Sequence, residues 1–254
     1  MHVRELFDLS GRKALVTGGG RGIGRVLALG LADAGCDISI LDINIENANK
    51  VADEVRNLDR KAISFQTDIT HKEAVEVAFA GSFNQLGGLD ICLNVAGVCI
   101  HQPAEETPEK DFDFVVDTNF KGLFFCCQAA AKLMISRKKG SIINIASMSG
   151  TAVNVPQKQA HYNSSKAAVI QLTKSLAVEW APYGIRVNSI SPGYTRTELV
   201  GMAAHMFAQW ESLTPMGRMA TPEELVGAAI YLASNASSYT TGSDLIVDGG
   251  YTAR

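Results

Sequence analysis

Short apolar runs alternate along the chain with stretches whose apolar residues recur every three to four positions. The first run, 13–17 (KALVT), breaks into Gly18-Gly19-Gly20. Ile23, Val26, Leu27, Leu31 and Ala34 then recur at helical spacing up to Gly35. Residues 37–43 read as a second strand, 45–58 as an amphipathic helix, 61–67 as a strand, 71–83 as a helix and 89–95 as a strand. A long helix is expected from just after Pro108 to the basic cluster Arg137-Lys138-Lys139, with Gly140 beyond it. Residues 141–146 read as a strand, 162–180 as a helix, and 185–190 as a strand stopped by Ser191-Pro192-Gly193. A helix after the capping pair Thr221-Pro222 and a last strand at 244–247 complete the pattern.

Seven strand-like runs, most separated by helices of crossover length, predict a doubly wound α/β fold. Near-continuous apolar strands mean a parallel sheet buried on both faces. No linker, repeat or charge block divides the chain, so one domain of this doubly wound, Rossmann-like kind is expected over residues 1–254. Only residues 194–215 break the alternation. They are irregular and Met-rich, and are expected to form a lid over a pocket.

Composition narrows the class. With 46% hydrophobic and 19% charged residues the chain is globular rather than disordered. A net charge of −3 leaves no electrostatic footprint for nucleic acid or an anionic membrane surface. No uncharged apolar run reaches membrane-spanning length. The first thirteen residues hold no apolar h-region, so no signal peptide is expected. The five cysteines, Cys36, Cys92, Cys99, Cys126 and Cys127, form no CxxC and mostly lie in apolar runs. They read as buried free thiols, which fits a cytoplasmic protein. His71, His101 and His205 are isolated and read as surface residues without metal-ligand spacing; no metal is expected. Met202, Met206 and Met216 read as pocket or core fillers.

The turn Thr17-Gly18-Gly19-Gly20-Arg21-Gly22-Ile23-Gly24 joins the first strand to the first helix. Glycines there let backbone N–H groups and a helix N-terminus face a pyrophosphate without Cβ obstruction. No Lys-Ser/Thr follows, so this is not a Walker A loop. Asp42 stands 18 residues after Gly24, at the end of the second strand. A carboxylate there accepts hydrogen bonds from the adenosine ribose and repels a 2′-phosphate, which predicts NAD. Arg21 pulls the other way, but it can swing to solvent, whereas a buried carboxylate facing a phosphate costs several kcal/mol.

Tyr162 and Lys166 share one face at the start of a helix. A nearby ammonium favours phenolate, lowering the tyrosine pKa from about 10 toward neutrality, where it can exchange a proton with a carbonyl or alcohol oxygen. Ser147 ends a central strand 15 residues before Tyr162. Asn119 lies in DTNFKG of the long helix, Asn94-Val95-Ala96-Gly97 ends the fourth strand, and Ser191-Pro192-Gly193 ends the sixth. Together with the glycine-rich turn, this set closely resembles the short-chain dehydrogenase/reductase family from Gly11 to Asp248-Gly249-Gly250.

The resemblance implies roles for the matching residues. Tyr162 would be the acid/base, and Ser147 would hold the substrate oxygen. Lys166 would bind the nicotinamide ribose and tune Tyr162, and Asn119 would hold a water linking Lys166 to solvent. Gly18, Arg21, Gly22, Ile23 and Gly24 would meet the pyrophosphate side of the cofactor, with Asp68 and its neighbour Ile69 toward the adenine. Asn94, near Gly97, would brace the central strands beside the cofactor, and Thr195, after Pro192-Gly193, would reach the carboxamide. Val95 departs from the asparagine the family often repeats there, with no catalytic consequence. A homotetramer is also implied, with the Asn119 and Tyr162 helices between subunits.

Within the family, SMSGTAVNVPQ, SPGYTRTEL, TPMGR and DGGYT are similar to dehydrogenases and reductases of galactitol, arabinitol, sorbose or mannitol. Ser149, Asn154 and His161, around Ser147 and Tyr162, suit a polyhydroxylated substrate whose hydroxyls need partners when buried; equally they are solvated loop residues. Trp210 either packs on a sugar face or anchors a helix. The expected reaction is hydride exchange between NAD(H) and a polyol or ketose. The rivals are an NADPH-dependent 3-oxoacyl thioester reductase and a non-catalytic NAD-binding sensor.

Overall fold

A computed structural model describes residues 3–198 and 203–254. The expected lid region is thus covered apart from 199–202, and Met202 lies outside the described residues. Seven strands, β1 (Lys13–Thr17), β2 (Asp37–Asp42), β3 (Ala62–Gln66), β4 (Ile91–Asn94), β5 (Gly140–Ile145), β6 (Ile185–Pro192) and β7 (Asp244–Val247), form one sheet in the order β3-β2-β1-β4-β5-β6-β7. Every neighbouring pair is parallel. The strand order reverses between β1 and β4. In open parallel sheets, ligands bind at the carboxyl edge of such a switch point.

Successive strand residues point to opposite faces, which explains why the runs are apolar throughout. Val16, Ile91 and Leu93 pack with Leu27 and Leu31 of α1 (Gly22–Asp33), Val51 of α2 (Ile45–Arg56) and Leu232 of α8 (Val226–Ala233). Leu15, Cys92 and Ile142 pack on the other face with Phe79 of α3 (Lys72–Leu86), Cys126 and Met134 of α5 (Leu123–Ile135) and Val169 of α6 (Ala160–Trp180). The alternation expected from sequence is therefore present, with element ends shifted by a few residues.

Two departures are physical. The long helix is not uniform. Between α4 (Glu109–Val116) and α5, residues Asp117–Gly122 wind as a π-helix that turns Asn119 and Gly122 inward. Gly122 is pressed on Ile69, whose Cγ1 would meet a Cβ there at 2.9 Å. The sixth strand does not stop before Pro192. Its pairing runs to Pro192 opposite Val247, and the next donor, Gly193 N–H, reaches Val247 O at 2.9 Å, so the missing proline N–H leaves no gap.

Candidate active site

The carboxyl edge brings the expected residues together. Register places Thr17 opposite Asn94, and Asn94 opposite Asn144. Thr17 Oγ1 accepts Val95 N–H at 3.2 Å and Ala96 N–H at 3.4 Å, tying the strand ends together. Asn94 Nδ2 donates to Asn144 Oδ1 at 2.9 Å, so it braces the central strands as expected. The chain turns tightly after Thr17: a Cβ on Gly18 would lie 2.7 Å from Ala96 Cα, and one on Gly24 only 2.0 Å from Gly18 O. No other residue type fits at Gly24 without rebuilding the turn.

The turn delivers α1 with its first N–H groups uncapped, because the N-cap residue Arg21 makes no side-chain cap bond. Orphan donors of this kind form a ready anion site. Beside them Gly22 is open, its closest neighbour for a Cβ being Thr197 at 3.8 Å. The Asp42 carboxylate sits at the turn, accepting Gly20 N–H at 2.9 Å through Oδ2 and Asn44 N–H at 2.9 Å through Oδ1. Arg21 is exposed. This donor set and acid fit a dinucleotide. Asp68 is already engaged: Oδ1 accepts Thr70 N–H at 2.9 Å and Thr70 Oγ1 at 2.7 Å, and Oδ2 lies 3.4 Å from His71 Nδ1. Those bonds hold its carboxyl below the usual range although partial burial pushes it up. At the far end of the edge, Thr195 is buried and donates to Gly193 O at 3.1 Å.

Helix α6 carries Tyr162 and Lys166 into this edge. Lys166 is buried; its Nζ donates to Ile145 O at 2.9 Å and lies 5.8 Å from the Tyr162 ring centroid. Ser147, capping the turn after β5, hydrogen-bonds Tyr162. Asn119 is fully buried: Oδ1 accepts Val98 N–H at 2.8 Å, and Nδ2 donates to Val98 O at 2.9 Å and to Ser165 Oγ at 3.1 Å. Gly97 closes the group, since a Cβ there would meet Asn119 Oδ1 at 3.2 Å and Lys166 Nζ at 3.4 Å.

The electrostatics of this geometry differ from the sequence expectation. Burial pushes the Tyr162 phenol well above its ordinary value, with Cys99 adding to the rise and the Ser147 bond opposing it. Burial also lowers Lys166 to about 8. Desolvation is the largest cause of both shifts, and in each it disfavours the charged form.

On the substrate side, Ser147 Oγ donates to Ser149 Oγ at 3.0 Å. Asn154 is buried; Nδ2 reaches Tyr194 OH at 3.4 Å, and Oδ1 has no partner among the described residues. His161 is buried with both ring nitrogens unpartnered among the described residues, and burial lowers its pKa against the pull of Asp111. Trp210, on α7 (Phe207–Leu213), is 3% exposed and stacks on Tyr194 at 4.4 Å. Its Nε1 donates to Gln157 Oε1 at 2.9 Å, so it anchors a helix and offers no open face to a sugar.

The structure adds residues that sequence reasoning missed. Gln157 clamps Trp210 and Tyr194, donating from Nε2 to Tyr194 OH at 3.0 Å. Gln159 joins Ser149, Asn163 and Cys99. Cys99 is partly exposed beside Tyr162 and Lys166, and burial raises its thiol to about 12. His101 and His205 lie at the surface as expected, and partial burial, with the charge of His205 adding to it, lowers the His101 pKa. The only sequence signal was position: both glutamines precede the tyrosine helix closely. Among the described residues no group of three or more His, Cys, Asp or Glu could hold a metal, and no helix is long and apolar enough to cross a membrane.

A family model described as enoyl-(acyl carrier protein) reductase matches residues 18–252. The D-arabinitol 2-dehydrogenase (ribulose-forming) of Scheffersomyces stipitis is 42% identical, over 96% of this chain and 95% of its own. The sorbose reductase of Candida albicans is 42% identical, over 99% of this chain and 90% of its own. Among solved structures, a short-chain type dehydrogenase/reductase from Mycobacterium marinum matches with TM-score 0.97 and 46% identity over the whole of both chains. A gluconate 5-dehydrogenase from Burkholderia cenocepacia, solved with NADP and tartrate, matches with TM-score 0.94 and 39% identity, again over the whole of both.

Proposed function

The chain belongs to the short-chain dehydrogenase/reductase family, and on that premise we propose that it interconverts a secondary alcohol of a polyol with the ketone of a ketose, using NAD(H). The observation that carries this reading is the grouping of Tyr162, Ser147, Lys166 and Asn119 beside the uncapped start of α1. The names of the relatives, an arabinitol dehydrogenase and a sorbose reductase, support the substrate class.

The nicotinamide, when bound, accepts or supplies the hydride. The backbone of Gly18, Arg21, Gly22, Ile23 and Gly24 would hold the pyrophosphate and Asp42 the ribose hydroxyls. Asp68 and Ile69 would border the adenine, Asn94 and Gly97 the middle of the cofactor, and Pro192, Gly193 and Thr195 the carboxamide. Lys166 and Tyr162 would meet the second ribose. In alcohol oxidation Tyr162 Oη takes the hydroxyl proton while Ser147 holds the same oxygen; in reduction Tyr162 returns it. Asn119 pins Val98 and Ser165, which fixes the π segment against the lysine helix. With its amide hydrogens committed, a water relay from Lys166 would rest on the remaining Asn119 oxygen lone pairs. Ser149 and the unpartnered Asn154 Oδ1 suit further substrate hydroxyls, since a buried acceptor gains most from a donor brought by the ligand. The exposed Phe112, Phe114 and Phe124, flanking the π segment, support packing between subunits of a homotetramer.

Family membership admits either dinucleotide, since one relative is solved with NADP; Asp42 carries the choice of NAD. An acyl thioester reductase would require NADPH and a basic face for an acyl carrier, against Asp42 and a net charge of −3. Turnover of a panel of polyols and ketoses with each cofactor tests the reading. We expect NAD-linked oxidation of at least one polyol; turnover confined to acyl thioesters with NADPH overturns it.

Lys166→Met tests the tuning. The alkaline rise of alcohol oxidation is expected to move to higher pH, because the variant has no ammonium to favour the tyrosine's deprotonated form, and cofactor affinity is expected to fall. An unchanged pH profile with unchanged cofactor Kd would refute both roles.

A further inference from the structure

Gln159 is 5% exposed and reaches Ser149 Oγ, the hydrogen-bond partner of Ser147. Each hydrogen-bonding position of its amide is met within the protein. Nε2 donates to Asn163 Oδ1 at 2.8 Å and to Ser149 Oγ at 3.4 Å. Oε1 accepts from Cys99 Sγ at 3.5 Å, and the His101 ring makes a side-chain hydrogen bond with the same amide. A primary amide has two N–H hydrogens and two lone pairs, so nothing remains for a substrate. Gln159 reaches the reacting groups by two routes, through Ser149 to Ser147 and through Cys99 to Tyr162, and only the first depends on the Ser149 hydroxyl.

Ser149 N–H donates to Ser147 Oγ at 3.1 Å, and Ser147 Oγ donates to Ser149 Oγ at 3.0 Å. In that sense the Ser147 hydrogen is occupied. If the two hydroxyls turn, Ser149 donates to Ser147, and the Ser147 hydrogen is released toward a substrate oxygen or the Tyr162 phenolate. This reversal requires that the Ser149 hydrogen be free. Gln159 holds Ser149 Oγ by donating to it, which leaves that hydrogen unused.

We propose that Gln159 is a positioning residue that sets the direction of hydrogen bonding along Ser149, Ser147 and Tyr162. The inference rests on the assignment of Ser147 and Tyr162 to proton transfer. Gln159→Glu keeps size and shape but inverts polarity: its carboxylate captures the Ser149 hydrogen, and Ser147 is left donating to Ser149. Gln159→Met removes the bond without inverting it.

The test compares both variants by kcat/KM across pH, with cofactor Kd and Tm measured to confirm a folded, loaded enzyme. Gln159→Glu is expected to lose about 10²-fold at pH 8 and Gln159→Met about 10-fold or less, within the span of acid–base assistance. The activity of Gln159→Glu relative to wild type should rise as pH falls, since the introduced carboxyl, once protonated, can donate to Ser149. In a Ser149→Ala background the two variants should become equal, because the path through Ser149 is cut. Equal losses with parallel pH profiles, or an excess loss for Gln159→Glu that persists in Ser149→Ala, would overturn the proposal. A wild-type chain that turns over no polyol or ketose would overturn the functional reading alone. The inference is then read from the ultraviolet titration of Tyr162, identified by its absence in Tyr162→Phe. Gln159→Glu should raise that pKa above the Gln159→Met value, and the difference should vanish with Ser149→Ala; a difference that stays would refute it.

Discussion

Replacing Tyr162 by phenylalanine is expected to lower kcat by at least ~10²-fold, the low end for loss of general acid–base catalysis. The ring and its packing are retained; only the hydroxyl that meets Ser147 is lost. The surroundings of the phenol make the expectation sharper. Burial pushes the phenol up and Lys166 down to about 8, which pairs a neutral phenol with a lysine that titrates near working pH. Such a phenol is competent to donate a proton to a ketone oxygen. To act as a base it needs the lysine charged, so polyol oxidation is expected to depend more steeply on pH than ketone reduction. Cofactor binding, measured by nicotinamide fluorescence, is expected to survive the substitution. Turnover within a few fold of wild type would refute the assigned mechanism.

The second large effect concerns cofactor choice. An ionised acceptor for the ribose hydroxyls contributes about 1.5–3 kcal/mol. A 2′-phosphate forfeits those bonds and adds like-charge repulsion. Together these are expected to favour NAD(H) over NADP(H) by at least ~10²-fold in kcat/KM, at ~1.4 kcal/mol per decade. Asp42→Ala is expected to weaken NAD use and let the exposed Arg21 recruit NADPH. Asp42 also holds the turn through Gly20 N–H at 2.9 Å, so Asp42→Ala alone would mix two effects. Asp42→Asn separates them, because it keeps an acceptor for Gly20 while removing the charge. A preference that relaxes in Asp42→Asn with Tm unchanged identifies the charge as its source. Equal or better use of NADPH by the wild type would refute the assignment and favour the acyl thioester reductase.

Much of this site was legible in the order of residues, because its logic is local. Alternation of period 2 and period 3.6 sets strand and helix in order, and burial on both faces makes the parallel strands apolar throughout. Gly18 and Gly24 announce a turn too tight for a side chain, and Asp42 follows at the end of the next strand. Tyr162 and Lys166 share a helix face by spacing alone.

Tertiary structure decided the rest. The π-helix at Asp117–Gly122 has no periodic signal; it is the winding that turns Asn119 toward Val98 and seats Gly122 on Ile69. Trp210 is committed to Tyr194 and Gln157 because a helix remote in sequence lands on them. The charge of His205 acts on His101 for the same reason. The protonation balance of Tyr162 and Lys166 likewise escapes a reading of spacing. Spacing places the two groups on one helix face, whereas desolvation is set by every atom the fold packs around them, and here it is the largest cause of both shifts.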